Sequence, residues 1–197
     1  MKYHIRQYTL DEGALEIEYI EEHFGEFSRR KKAAEVIRRL INRDHQILMA
    51  EAPLSDSPST IVPVAYKVSH ELKLNEVDPK LSDLVARFQH CVNFNDRKIL
   101  YSWIGGTRRD WRGQGFFRAL TEEQEAWALD NGFDEILVKT KNKLYDMRST
   151  LAHLEFNVIS FEPCIDDPRE AKVYLSKQLG LEVLAHHRRK RSVVSAD

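Results

Sequence analysis

At 197 residues the chain has room for one well-packed domain, and its 30 basic against 31 acidic residues leave a net charge of -1. That balance gives no global attraction to nucleic acid or to an anionic membrane, so an electropositive site has to be local. Two cysteines, no charged-then-apolar leader and no long apolar run point to a reducing, cytoplasmic setting without a membrane span.

Residues 3–8 alternate as a short strand, and Asp11 is placed to cap a helix that turns Leu15, Tyr19 and Ile20 toward a core. A second helix is expected from about Ser28, with Ala33, Val36, Ile37, Leu40 and Ile41 as its buried stripe. Residues 46–51 read as a strand, 53–59 as a polar turn, and 61–72 as a third strand with Pro63 at its start or on an edge. Residues 73–97 read as an insertion whose Leu81, Leu84, Val85 and Phe88 have helical spacing and would lie over the sheet or a partner. A strand over 98–107 carries Gly105 and Gly106, which mark a bulge or a close backbone approach and predict that this strand splays from a neighbour. A helix over 115–131 presents Phe116, Ala119, Leu120, Ala126 and Trp127 to the sheet and stops at Gly132. Then come a strand over 135–140, a helix over 145–154, and strands over 158–162 and 173–175. This alternation predicts a single α/β domain over 1–180, a mixed sheet covered by helices. Residues 181–197, with the run His186-His-Arg-Arg-Lys-Arg191, read as a flexible basic tail; two histidines without further ligands make no metal site, and no metal is expected.

The most informative segment is Tyr101-Ser-Trp-Ile-Gly-Gly-Thr-Arg-Arg-Asp-Trp-Arg-Gly-Gln-Gly115, followed by Phe116-Phe-Arg118. Gly113 and Gly115 let the backbone approach an anion, and the amides of the next helical turn point at it unpaired. The helix dipole and Arg112 add positive potential. A phosphate cradle beside a splayed strand suits one elongated ligand with a diphosphate and a peptide-like arm, which is the shape of coenzyme A. A P-loop needs Gly-Lys-Ser/Thr where Phe116 and Phe117 stand, and a dinucleotide fold needs three spaced glycines and a later acidic residue.

Here the chain resembles the GCN5-related N-acetyltransferase (GNAT) superfamily, whose acetyl-CoA loop reads Gln/Arg-x-x-Gly-x-Gly/Ala. Arg112 to Phe117 follow it until the last position, where Phe117 replaces a small residue. The likeness runs over roughly residues 46–178, through Asn131-Gly-Phe133, Val138-Lys-Thr-Lys-Asn142 and Leu154-Glu-Phe156, and is similar to a bacterial branch of the superfamily; residues 1–45 match only in element order. It implies a mostly antiparallel sheet of six to seven strands, split between the strands near 98–107 and 135–140. It further implies that Gly105, Gly106 and Thr107 run beside pantetheine and that Arg112, Gly113, Gln114, Gly115, Phe116, Phe117 and Arg118 hold pyrophosphate. Arg108 and Arg109 add charge, and Asn142 contacts the coenzyme or fixes the strand-to-helix turn.

The activity implied is transfer of an acyl group from acetyl-CoA, or another acyl-CoA, to a small-molecule or peptide amine by direct attack in a ternary complex. The alternative is a non-catalytic acyl-CoA-binding or regulatory module; a nucleic-acid protein using the tail and Arg29 to Lys32 ranks third. The resemblance also allows a homodimer. Such transfer needs a base for the amine and an acid for the thiolate. Many relatives use a Tyr as acid, but Leu151 takes that position here and Glu155 replaces a Gly, leaving Tyr145 as the substitute acid. Candidate bases are His70, Glu71, Tyr101 and Ser102 near the expected acceptor cleft, with Trp103 as a wall. Arg29, Arg30, Lys31 and Lys32 would suit an acidic acceptor.

Overall fold

The computed structural model describes residues 3–23, 30–54 and 56–187. Its strands are β1 (His4–Gln7), β2 (His45–Pro53), β3 (Ile61–Leu72), β4 (Ile99–Thr107), β5 (Glu135–Lys141), β6 (Asn157–Glu162) and β7 (Lys172–Gln178). Its helices are α1 (Leu10–His23), α2 (Ala33–Leu40), α3 (Pro79–Phe88), α4 (Phe116–Asp130) and α5 (Tyr145–His153). The strands make one seven-stranded sheet in the order β1-β2-β3-β4-β5-β7-β6. All neighbours are antiparallel except β4 and β5, which are joined by the crossover helix α4 that a parallel pair requires. This is the α/β architecture expected from the alternation of elements.

Helices cover both faces. On one face α1 and α2 bury Ala14, Ile17, Ile20, Val36 and Leu40 against Ile47, Met49, Tyr66 and Val68. On the same face α3 buries Leu81, Leu84, Val85 and Phe88 against Leu72, Ile99, Tyr101, Leu137 and Tyr174. Asp78 caps α3 by accepting hydrogen bonds from the Lys80 and Leu81 amides, with Pro79 at the first helical position. On the other face Phe116 and Leu120 of α4 lie over the small side chains Ala50, Ala52 and Ala65. Further along that face Ala128, Leu151 and Leu154 pack on Leu100, Ile136, Val138, Val173 and Leu175.

Several local expectations are corrected. Asp11 sits inside the first turn of α1, where its charge faces the helix dipole, and does not precede the helix as a cap. Leu15 and Tyr19 are exposed because the buried stripe of α1 runs through Ala14, Ile17 and Ile20; Ile41 is exposed just past the end of α2. The second helix begins at Ala33, and its expected start near Ser28 lies outside the described residues. The first part of the basic extension is folded: Leu181–His186 forms a short 3-10 helix, and His187 reaches the buried carboxylate of Glu125 on α4 at 2.7 Å. The remaining tail residues lie outside the described residues.

Candidate active site

Two parallel strands part at the centre of the sheet. β4 and β5 are paired only from Ile99↔Glu135 to Ser102↔Val138. Beyond that point β4 stays on β3, and Lys139–Lys141 of β5 stay on β7. The two glycines do not make this fork. The β3–β4 register slips between Val68 and Ser69, where Ser102 and Ile104 face successive residues and leave Trp103 bulged; the fork opens there. Gly105 serves close approach instead, since a Cβ at that position would lie 2.9 Å from the Tyr66 carbonyl oxygen of β3.

The cradle closes the open end. Gly113 and Gly115 have φ of 75° and 85°, in the left-handed region that glycine enters without a steric cost. A Cβ at either would meet nothing within 4 Å, so the space beside both glycines is open to a ligand. Gly115 caps α4; its carbonyl oxygen accepts from the Ala119 amide at 3.0 Å, which leaves the Phe116, Phe117 and Arg118 amides without a helical acceptor. No acidic side chain occupies that first turn to compete with an anion. Around the loop, Arg112 Nε donates to the Thr107 carbonyl oxygen at 3.2 Å, and the Trp111 and Phe116 rings meet edge-on at 5.9 Å over the alanine patch of the sheet. Gln114 is exposed at the rim.

On the α1–α2 face the bulged Trp103 is flanked by Arg39, 4.9 Å from its ring centroid, and by Lys31 at 5.5 Å. Both cations already have carboxylate partners, Asp78 and Glu35. His70 stands edge-on to Trp103 and Tyr101. Its Nδ1 donates to the Glu71 carbonyl oxygen at 2.7 Å, because a carbonyl can only accept. Nε2 is therefore a bare lone pair, buried and without a hydrogen-bond partner among the described residues. Burial holds the imidazole pKa down to about 4, so the ring is neutral at physiological pH. At the cradle end of the same face, Tyr19, Ile20 and His23 of α1 line a 760 Å³ groove with Val62, Pro63 and Arg108 to Asp110.

The other shortlisted groups lie away from this constellation or are already engaged. Glu71 is opposite Leu100, in the paired part of β4, and its carboxylate bonds Lys73 at 3.2 Å; the strand register removes it from the fork. Tyr101 faces Leu137 where β4 and β5 are still joined, and burial drives its phenol pKa upward, so it is a poor proton acceptor. Ser102 is the last paired residue and turns toward α4. Tyr145 starts α5 with 61% of its surface exposed, while Leu151 is fully buried in the core. The Asn142 carboxamide is used within the turn: Nδ2 donates to the Pro168 carbonyl oxygen at 3.1 Å and Oδ1 accepts from Arg148. It fixes the strand-to-helix turn. Arg108 is held by Asp110, Lys32 by Glu18, and Arg29 lies outside the described residues.

One group was missed. Lys67 of β3 is 2% exposed and reaches the Phe117 ring of α4, its Nζ 4.5 Å from the centroid. A lysine inside the apolar run Val64-Ala-Tyr-Lys-Val68, on the alternation of a central strand, was the available signal.

No protein-family model and no curated protein matches the chain. Solved structures do. The chain is similar to the NatC complex bound to Gag peptide and CoA, with 15% identity and a TM-score of 0.65 over 91% of this chain and 100% of that one. It is also similar to Arabidopsis thaliana NAA60 in complex with acetyl-CoA, at 12% identity and a TM-score of 0.63 over 90% and 98% of the two chains. A third likeness is to the ribosomal-protein-S18-alanine N-acetyltransferase from Escherichia coli, at 12% identity and a TM-score of 0.60 over 91% and 96%. With its forked parallel pair and the glycine loop that opens α4, the chain has the fold of the GCN5-related N-acetyltransferase superfamily.

Proposed function

We propose that the protein is an acyl-CoA-dependent N-acyltransferase, using acetyl-CoA and joining it to an amine acceptor in a ternary complex. The observation that carries this reading is the alignment of two features on one path: a cradle of unpaired amides at Gly113 to Arg118, and a fork between β4 and β5 that leads away from it. Diphosphate charge suits the amides and the dipole of α4. The peptide-like arm suits the edge of β4 over Gly105 to Thr107, where backbone groups on the β5 side have no strand partner.

Direct attack requires the acceptor nitrogen to lose its proton near the bulge. Of the shortlisted groups His70 stands beside the bulge, edge-on to Trp103 and with Nε2 unpaired among the described residues, so it is the first to test as acceptor of that proton, as a weak base with a pKa of about 4. The amine itself is to be found by trial, and peptide N-termini are the first class to test because a structural neighbour was solved with a peptide. The test is thiol release from acetyl-CoA across peptides, amino acids and small amines. Saturable coenzyme binding with release on one acceptor class is the expected result. Binding without release across the whole panel favours a non-catalytic acyl-CoA-binding module, a reading motivated by the Phe117 ring at the fork. Absence of coenzyme binding overturns both.

A further inference from the structure

Buried lysines carry a desolvation cost that an ion pair usually offsets. Lys177 follows that rule, with Nζ 3.0 Å from Glu125. Lys67 does not. Among the described residues its Nζ makes no hydrogen bond and no ion pair, only the contact with the Phe117 ring.

The side chain is aimed at the fork. Lys67 pairs with Gly105 across β3 and β4, and leaves the sheet on the α4 face. Its Cγ lies 3.7 Å from where a Gly105 Cβ would stand, so the stem lies against a stretch of β4 that carries no side chain. Its tip ends at Phe117, in the first turn of α4. That ring packs against the cluster containing Leu100 and Val138, and Val138 is the last β5 residue still paired to β4. Lys67 thus sits where the strands part, between the glycine loop and the closed end of the fork, with its ammonium over the Phe117 ring.

We propose that Lys67 is the proton donor to the coenzyme sulfur when the thioester breaks. This rests on the acyltransferase reading above. The acceptor nitrogen bonds to the carbonyl carbon, the carbon–sulfur bond breaks with its electron pair going to sulfur, and a proton moves from Nζ to that sulfur to give the free thiol. The acceptor nitrogen sheds one proton and Lys67 regains one from the medium, so the cycle is balanced.

Burial brings the Lys67 pKa down to about 7, partly opposed by the Glu125 carboxylate, which makes its proton mobile near neutrality. Glu125 of α4 is the charged group that acts on it, and that carboxylate is itself paired with Lys177 of β7 and with His187; Arg118 and Glu122 of α4 pair with each other, and β2 places the neutral Leu48 opposite Lys67.

The test needs no acceptor. An ammonium beside a thiol favours the thiolate and lowers the pH at which it ionises. Free coenzyme A is bound to the wild-type protein, to Lys67→Met and to Lys67→Gln, and thiolate absorbance is followed from pH 6 to 10 against the matching acetyl-CoA complexes, which cancels Cys91 and Cys164. In the wild type the bound thiol should ionise at least about tenfold more readily at pH 6 to 6.5, where Lys67 still carries its proton, than in either variant, an effect of the size expected of one close opposite charge, and the difference should shrink above pH 7 as the ammonium is lost. Identical thiol titrations in all three proteins overturn the proposal, as does a variant that loses coenzyme affinity while its thiol titrates as in the wild type. The Gln variant keeps the test available where Met fails to fold. No binding of coenzyme A to the wild type sinks the acyltransferase reading itself, an outcome distinct from binding with an unshifted thiol.

Discussion

Replacing Gly115 separates backbone strain from charge at the cradle. With φ of 85°, an L residue there costs about 1 kcal/mol, which corresponds to a Tm lower by about 2–4 °C for a chain of this size. Because a new Cβ meets no atom within 4 Å, no steric cost is added, and Gly115→Ala and Gly115→Asp share the same strain. They differ in charge. A carboxylate about 5 Å from a bound phosphate charge, at an effective dielectric constant of about 20, opposes binding by about 3 kcal/mol, or roughly a hundredfold in Kd. In the free protein the same carboxylate sits at a helix N-terminus and recovers part of the strain, so the Asp variant should melt no lower than the Ala variant. Calorimetric titration with acetyl-CoA and thermal unfolding measure both quantities on one preparation. Equal coenzyme affinity in the Ala and Asp variants would show that the diphosphate does not lie over Gly115.

Three further outcomes follow from where individual polar groups are placed. His70 has a pKa of about 4 in the fold against 6.5 in the unfolded chain, so below pH 6.5 the unfolded state takes up a proton that the fold refuses. Stability should fall by about 2 kcal/mol between pH 7 and pH 5 on this account, and urea unfolding of His70→Phe should lose that part of the slope; an unchanged slope excludes the burial argument. Glu125→Gln strands Lys177 and abolishes the charge facing His187, with an expected destabilisation of about 3–5 kcal/mol; a loss below 1 kcal/mol would mean the pair is wet. Tyr145→Phe should leave coenzyme affinity and stability within about 0.5 kcal/mol, as suits an exposed phenol, and a larger change by titration or unfolding would restore it to the site.

The glycine loop and the helix start behind it were legible in the residues because their requirement is local. Positive φ selects glycine at 113 and 115, and a helix N-terminus follows wherever a capping residue precedes an apolar period. The fork was legible as a fact but not in its cause. A bulge at Trp103 depends on how two strands are registered, and no single residue type announces it, whereas the adjacent glycines drew attention to themselves. Register also decided Glu71 and Tyr101: one step along β3 or β4 moves a side chain to the other face or into the joined part of the sheet. Asn142 could be read from sequence as coenzyme ligand or turn support, and the Pro168 carbonyl that engages its carboxamide in the turn comes from a segment 26 residues away. Lys67 and His70 were visible as polar letters inside apolar strands, yet what surrounds them, a phenylalanine ring at Lys67 and no partner for His70 Nε2 among the described residues, is a property of packing alone.

The aromatic footing of the glycine loop bears on how tightly a ligand can be held. Trp111 and Phe116 are seated on alanines, and Arg112 ties the loop back to the strand it leaves, so the loop is braced at both ends by contacts that no ligand has to supply. Association at such a rim gives up little loop entropy, and more of the attraction between amides and phosphate survives as affinity. Enlarging Ala50 or Ala65 would lift those rings and loosen the loop, and under the proposed function it would weaken coenzyme binding from a position outside the proposed contacts.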